Sequence, residues 1–191
     1  MCAIFGIAGQ DEAANLVYLG LHALQHRGQE GSGIVSTDGK NPYVHKKQGL
    51  AGEVFSSKAI AKLKGNAAIG HNRYSTTGGN LAANLQPLMM KSQLGWVSLA
   101  HNGNLVNAAK LAQFLESQGS IFQSSNDTEV IMHLMARSGE NNLPKALISA
   151  LKQVEGAVSL VALNQDYLVA TRDPHGFRPL VMGDFQGTPV F

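Results

Sequence analysis

Two pairs of short strand-like runs are joined by so few residues that only antiparallel pairing can follow. Ile34–Thr37 meets Tyr43–Lys47 across the Asp38-Gly39 turn, and Leu88–Lys91 meets Trp96–His101 around Gln93–Gly95. A parallel partner would need a crossover of a dozen or more residues. Further strands are expected at Ile4–Ala8, Ala67–His71, Ala157–Leu163, Tyr167–Arg172, Leu180–Met182 and Pro189–Phe191. A helix capped by Asp11 should carry Leu16, Leu19, Ala23 and Leu24 on one side, and others are predicted at Asn107–Ser117, Thr128–Arg137 and Lys145–Gln153. Asn126 and Glu129 have the spacing of a capping box, Gly119 and Gly139 lie just past helix ends, and Pro144 opens the last helix. Gly28, Gly31 and Gly33 are expected to open a loop. The pattern predicts an α+β chain, with sheets of mainly antiparallel strands flanked by helices.

The 191 residues are 44% apolar, enough for one compact domain, and the single Cys leaves no internal disulfide. Met1-Cys2-Ala3 starts neither a basic stretch nor the long apolar run of a secretory signal, so the expected compartment is cytoplasmic. No apolar run approaches the roughly 18 residues of a membrane span. A formal charge of +2 is too small for strong capture of nucleic acid, so neither membrane nor nucleic acid is an expected partner. The chain stops inside an apparent strand and is expected to be part of a longer protein.

Removal of Met1 would place the Cys2 thiol beside a free α-amine, a nucleophile and a base on one residue. An isolated Cys is ordinarily a small buried hydrophobe, so its neighbours must decide. Polar clusters fall where strands should end. Asn102 and the Gly103 N–H could form a two-donor cradle for an oxyanion, or merely an Asn-Gly turn. Arg73 could hold a carboxylate by two parallel bonds, or be a surface ion-pair residue. Asp127 could receive an ammonium group, or cap a helix. Together these groups suit attack on the side-chain acyl group of an α-amino acid. His22 and His26 have helical metal-ligand spacing but no intervening Glu and no third ligand, so no metal is expected. Gly65–His71 lacks the Lys and Ser/Thr of a phosphate loop.

The motifs, in order, are Met1-Cys2 with Ile4-Phe5-Gly6-Ile7, then His26-Arg27-Gly28-Gln29-Glu30-Gly31, His71-Asn72-Arg73-Tyr74-Ser75-Thr76, His101-Asn102-Gly103-Asn104-Leu105 and Ser125-Asn126-Asp127-Thr128-Glu129. Over the whole chain they resemble the glutaminase domain of class II glutamine amidotransferases. Gln29–Gly33, Asn104–Asn107 and Arg172–Leu180 resemble the branch in which that domain feeds ammonia to a phosphoribosyltransferase domain for purine synthesis.

The resemblance implies an N-terminal-nucleophile hydrolase fold, a four-layer αββα sandwich of two mainly antiparallel sheets. Residues 1–191 would be the glutaminase domain, ending before the phosphoribosyltransferase domain. Cys2 would be the nucleophile with its own α-amine as base, and Asn102 and Gly103 would form the oxyanion hole. Arg73 would bind the α-carboxylate of glutamine and Asp127 its α-ammonium, while Arg27 would order the loop near the thiol and Thr76 would line the site. No cofactor is implied for this chain, Mg2+ belonging only to the absent domain, and the full-length protein would be a homo-oligomer. Two departures stand out: Ala3 replaces the usual Gly, and the chain is short. The rival readings are a glutamine-binding or partner-binding domain with impaired turnover, and the glutaminase domain of another class II amidotransferase.

Overall fold

In the computed structural model, which describes residues 1–74 and 82–191, β1 (Ala3–Ala8) and α1 (Ala13–Ala23) precede the hairpin of β2 (Gly31–Thr37) and β3 (Pro42–Gln48). Two single-turn helices, α2 (Ala51–Val54) and α3 (Ser57–Ile60), lead to β4 (Ala67–Arg73). The second hairpin joins β5 (Leu88–Ser92) to the long β6 (Gly95–Leu105), with Ser92 opposite Gly95. Then come α4 (Ala108–Ser117), α5 (Thr128–Arg137) and α6 (Leu143–Leu151), followed by β7 (Gly156–Leu163), β8 (Leu168–Arg172), β9 (Gly183–Phe185) and β10 (Thr188–Val190).

The strands form a six-stranded sheet, ordered β3-β2-β4-β1-β10-β9, and a four-stranded sheet, β5-β6-β7-β8. Among the described residues every strand pair is antiparallel. Alternation along each strand sorts the side chains into layers. Ile7, Ile34 and Ala68 face α1, where they meet Val17 and Leu21. Their neighbours Ile4, Val35 and Ile69 face the other way and pack on Ala100, Val161 and Leu163 of the second sheet. The outer face of that sheet, with Leu99, Leu160 and Ala162, buries Ile131 and Met135 of α5 and Leu147 of α6. The result is the expected order of helix, sheet, sheet, helix. Among the described residues no helix is long and apolar enough to cross a membrane.

Several local expectations need correction. The N-cap of α1 is Glu12 rather than Asp11, and it makes no side-chain cap bond. The buried stripe of α1 is Ala13, Ala14, Val17 and Leu21, while Leu19 is exposed. The smaller stripe wins because it lets the helix lie close on the sheet. Because Asp127 is the N-cap of α5, Glu129 is one residue too early for a capping box. Its carboxylate accepts the N–H groups of Gln123 and Ser124 instead, at 2.7 and 2.8 Å. Leu180–Met182 forms no strand. The terminal hairpin is β9 and β10, turned by Gln186 and Gly187, both at positive φ. Gly31 and Gly33 lie within β2 rather than in a loop. A side chain at Gly33 would collide with the Gln86 carbonyl, so this glycine lets the segment after residue 81 rest on the sheet.

Candidate active site

Cys2 immediately precedes β1, and the pairing of Ala3 with Asn72 brings the end of β4 beside it. The thiol donates to the Tyr74 carbonyl and accepts from the Tyr74 N–H, both at 3.5 Å. Nε of Arg27 donates to the Cys2 carbonyl at 3.1 Å, which fixes the backbone next to the sulfur. Burial pushes the Cys2 thiol above its ordinary value, against the lowering pull of the Tyr74 backbone bond, the terminal ammonium and the Arg73 charge. A thiol so placed stays protonated at neutral pH. Ala3 is a buried, extended strand residue, so its Cβ strains nothing in the backbone here.

Arg73 closes β4 and is buried, not a surface ion-pair residue. Its Nη1 donates to the Asn84 carbonyl at 3.0 Å, and its Nε lies 3.8 Å from the Glu30 carboxylate. Asp127 stands across the pocket and makes no cap bond to its own helix. Its Oδ2 accepts the Leu105 N–H at 2.9 Å, and Oδ1 lies 3.8 Å from His101 Nδ1. Burial alone would raise the Asp127 carboxyl, but the His101 ring and the Leu105 N–H outweigh it and hold the group below the usual carboxylate range. The carboxylate is therefore an anion at neutral pH.

Asn102 and Gly103 lie inside the 11-residue strand β6, so they form no Asn-Gly turn. Being neighbours on a strand, they face opposite sides. Gly103 lines a polar pocket with Cys2, Arg73, Tyr74, His101 and Asp127. Asn102 lines an apolar cleft of ≈ 350 Å³ on the other side of Cys2, together with Arg27, Leu180 and Phe191. A Cβ on Gly103 would overlap the Ala157 carbonyl and the His101 ring, so only glycine fits.

The N–H groups of residues 101, 103 and 105 share one edge of β6. That of His101 donates to Gln86 Oε1 at 2.7 Å, and that of Leu105 is taken by Asp127. The Gly103 N–H lies between them and faces the pocket. Cys2, Arg73, Gly103 and Asp127 thus meet in one pocket, Asn102 and Arg27 line the adjoining cleft with Cys2, and Thr76 lies outside the described residues.

Sequence reasoning assigned no role to His101, Gln86 or Asn84. His101 Nε2 donates to the Ala157 carbonyl at 3.3 Å, and its Nδ1 is 3.1 Å from the Thr128 hydroxyl, which also receives Gln86 Nε2 at 3.3 Å. These bonds hold the ring against Asp127. For His101 the available signal was its place one residue before Asn102; Gln86 and Asn84 carried none. Among the described residues no three His, Cys, Asp or Glu side chains could share a metal ion.

A family model described as a glutamine amidotransferase domain matches residues 71–191. The chain is 51% identical over 183 residues to the amidophosphoribosyltransferase of Bacillus subtilis, covering 95% of this chain and 38% of that protein. It is 48% identical to an amidophosphoribosyltransferase of Lacticaseibacillus casei, covering 95% of this chain and 94% of that sequence. The solved structure of the B. subtilis glutamine phosphoribosylpyrophosphate amidotransferase, complexed with ADP and GMP, superposes with a TM-score of 0.92 at 48% identity, covering 100% of this chain and 41% of that one. The chain thus spans well under half of the B. subtilis relative.

Proposed function

The chain belongs to the class II glutamine amidotransferases, on the amidophosphoribosyltransferase branch, and from that premise we propose that it hydrolyses glutamine to glutamate and ammonia through a thioester at Cys2. The observation that supports this most is the edge of β6, where two of three adjacent N–H groups are occupied and the third, on Gly103, faces the pocket that Cys2 lines.

Arg73 receives the α-carboxylate and Asp127 the α-ammonium, which leaves the side-chain amide directed at Cys2. The neutral thiol requires a base, and after removal of Met1 the α-amine of Cys2 is the nearest one. The sulfur adds to the amide carbon while its proton moves to the amine. The Gly103 N–H and the Asn102 amide stabilise the resulting oxyanion. The amine returns the proton to the departing nitrogen, ammonia leaves, and a thioester remains. Water then adds to the thioester, restoring the thiol and releasing glutamate. Arg27 keeps the Cys2 carbonyl in place throughout, and Thr76 is assigned to the lining of the same site.

In the full-length protein the ammonia passes to a phosphoribosyltransferase domain and displaces pyrophosphate from phosphoribosyl pyrophosphate, the opening reaction of purine synthesis. Mg2+ is required there rather than here, and the protein is cytoplasmic and homo-oligomeric. The share of the B. subtilis relative left uncovered supports a further domain.

The test is release of glutamate and ammonia from glutamine, with Cys2→Ala as control. Release by the control should fall by about 10⁶-fold, or to the detection limit, as for removal of other nucleophiles. Equal release from the two proteins would remove this reading. Intact mass of the active protein should show the loss of Met1.

A further inference from the structure

The two groups assigned to the amino-acid head, Arg73 and Asp127, sit on different elements, and one buried residue spans them. Asn84 is fully buried. Its main-chain carbonyl accepts from Arg73 Nη1 at 3.0 Å and from Asn126 Nδ2 at 3.2 Å. Its side chain grips the residue before Asn126: Oδ1 accepts the Ser125 N–H at 3.1 Å, and Nδ2 donates to Ser125 Oγ at 3.0 Å. Asn126 in turn accepts the Thr128 N–H at 3.0 Å, bracketing Asp127. The strand below anchors the segment carrying Asn84, because Lys46 Nζ donates to the Leu85 carbonyl at 2.7 Å.

We propose that Asn84 is a positioning residue that sets the distance between Arg73 and Asp127, and so makes the pocket select substrates carrying both an α-carboxylate and an α-ammonium group. The proposal rests on the glutaminase reading and deepens it. Truncating the side chain leaves the carbonyl bonds to Arg73 and Asn126 but removes the grip on Ser125, so the two arms can drift apart. Looser spacing weakens a contact made equally in the bound and reacting states, so the loss enters KM rather than kcat. Asn84 itself reaches no reacting atom; its effect falls on recognition of the head.

Two thiol reagents separate this role from a merely structural one, applied to the full-length protein. A diazoketone analogue of glutamine needs the amino-acid head to reach Cys2, whereas iodoacetamide does not. Asn84→Ala should slow diazoketone labelling about tenfold and raise KM for glutamine similarly, with iodoacetamide labelling and kcat within about twofold of wild type. Ser125→Ala loses the hydroxyl's contacts with the Asn84 side chain but keeps the main-chain N–H bond, and should move the diazoketone rate in the same direction by about threefold, which keeps the test valid if Asn84→Ala misfolds. Combined, the two changes should be less than additive. Unchanged diazoketone labelling, or equal slowing with both reagents, would overturn the proposal. Failure of the wild type to react with the diazoketone would instead remove the glutaminase reading, and the role of Asn84 with it.

Discussion

The six-stranded sheet brings side chains to the site, whereas the four-stranded sheet brings a main-chain edge. Cys2 and Arg73 stand at the ends of β1 and β4 and reach the pocket through rotatable bonds. Gly103 lies within β6, and its N–H is held by the bonds of His101 to Gln86 and of Leu105 to Asp127 on either side. A single substitution can delete the contribution of the first sheet. The second sheet's main-chain donor cannot be deleted, only displaced, because every residue there except proline carries an N–H, whereas the Asn102 side chain beside it can be. The nucleophile should therefore be an all-or-none element of the site, and the oxyanion cradle a graded one.

The sharpest probe of that difference is Asn102→Ala. It removes the side-chain donor and leaves the Gly103 N–H in place, so kcat for glutamine hydrolysis should fall by roughly 10²-fold with little change in KM. A fall as complete as that expected of Cys2→Ala would mean the cradle is not graded, and an unchanged kcat would leave the oxyanion to the main chain alone.

Smaller effects belong to the head-binding pair, Arg73 at the end of β4 in the six-stranded sheet and Asp127 at the start of α5. Arg73→Lys keeps a positive charge but loses the planar fork, and Asp127→Asn keeps an acceptor for the Leu105 N–H while losing the negative charge. Each should raise KM by about tenfold and lower kcat less. Steady-state kinetics with KM unmoved in both variants would detach the amino-acid head from these residues.

The β2–β3 and β5–β6 hairpins were legible because their information is local: the turn residues lie between the strands they join. Cys2, Arg73 and Asp127 were legible as residue types at element ends. The sidedness of α1 was not, because the sheet it covers chose between two stripes of the same helix. Glu129 read as a cap but serves Gln123 and Ser124, a one-residue difference in where α5 begins. Asn84 was silent, since its meaning comes from Arg73 on one side and from Ser125 and Asn126 on the other, which only the fold assembles. The reacting groups could be read from chemistry, and the spacing between them could not.

The joint between the two sheets offers the smallest and most specific test. His71 on β4 is fully buried, and its Nε2 donates to the His101 carbonyl on β6 at 3.2 Å. Burial, aided by the nearby Arg73 charge, pushes the ring down to about 3, so it stays neutral in the folded protein. The unfolded chain takes up a proton on this residue near the ordinary pH of ~6.5. The contribution of His71 to stability is therefore fully present above that pH and is lost progressively as pH falls toward its folded value. The slope is about 1.4 kcal/mol per pH unit. Urea unfolding at pH 7.5 and 5.5 should show the wild type losing about 1 kcal/mol more than His71→Gln, in which this titration is absent while the other groups are shared. Equal losses in the two proteins would mean that His71 accepts a proton in the folded state. The polar contact between the sheets would then be an ion–dipole bond rather than a neutral one.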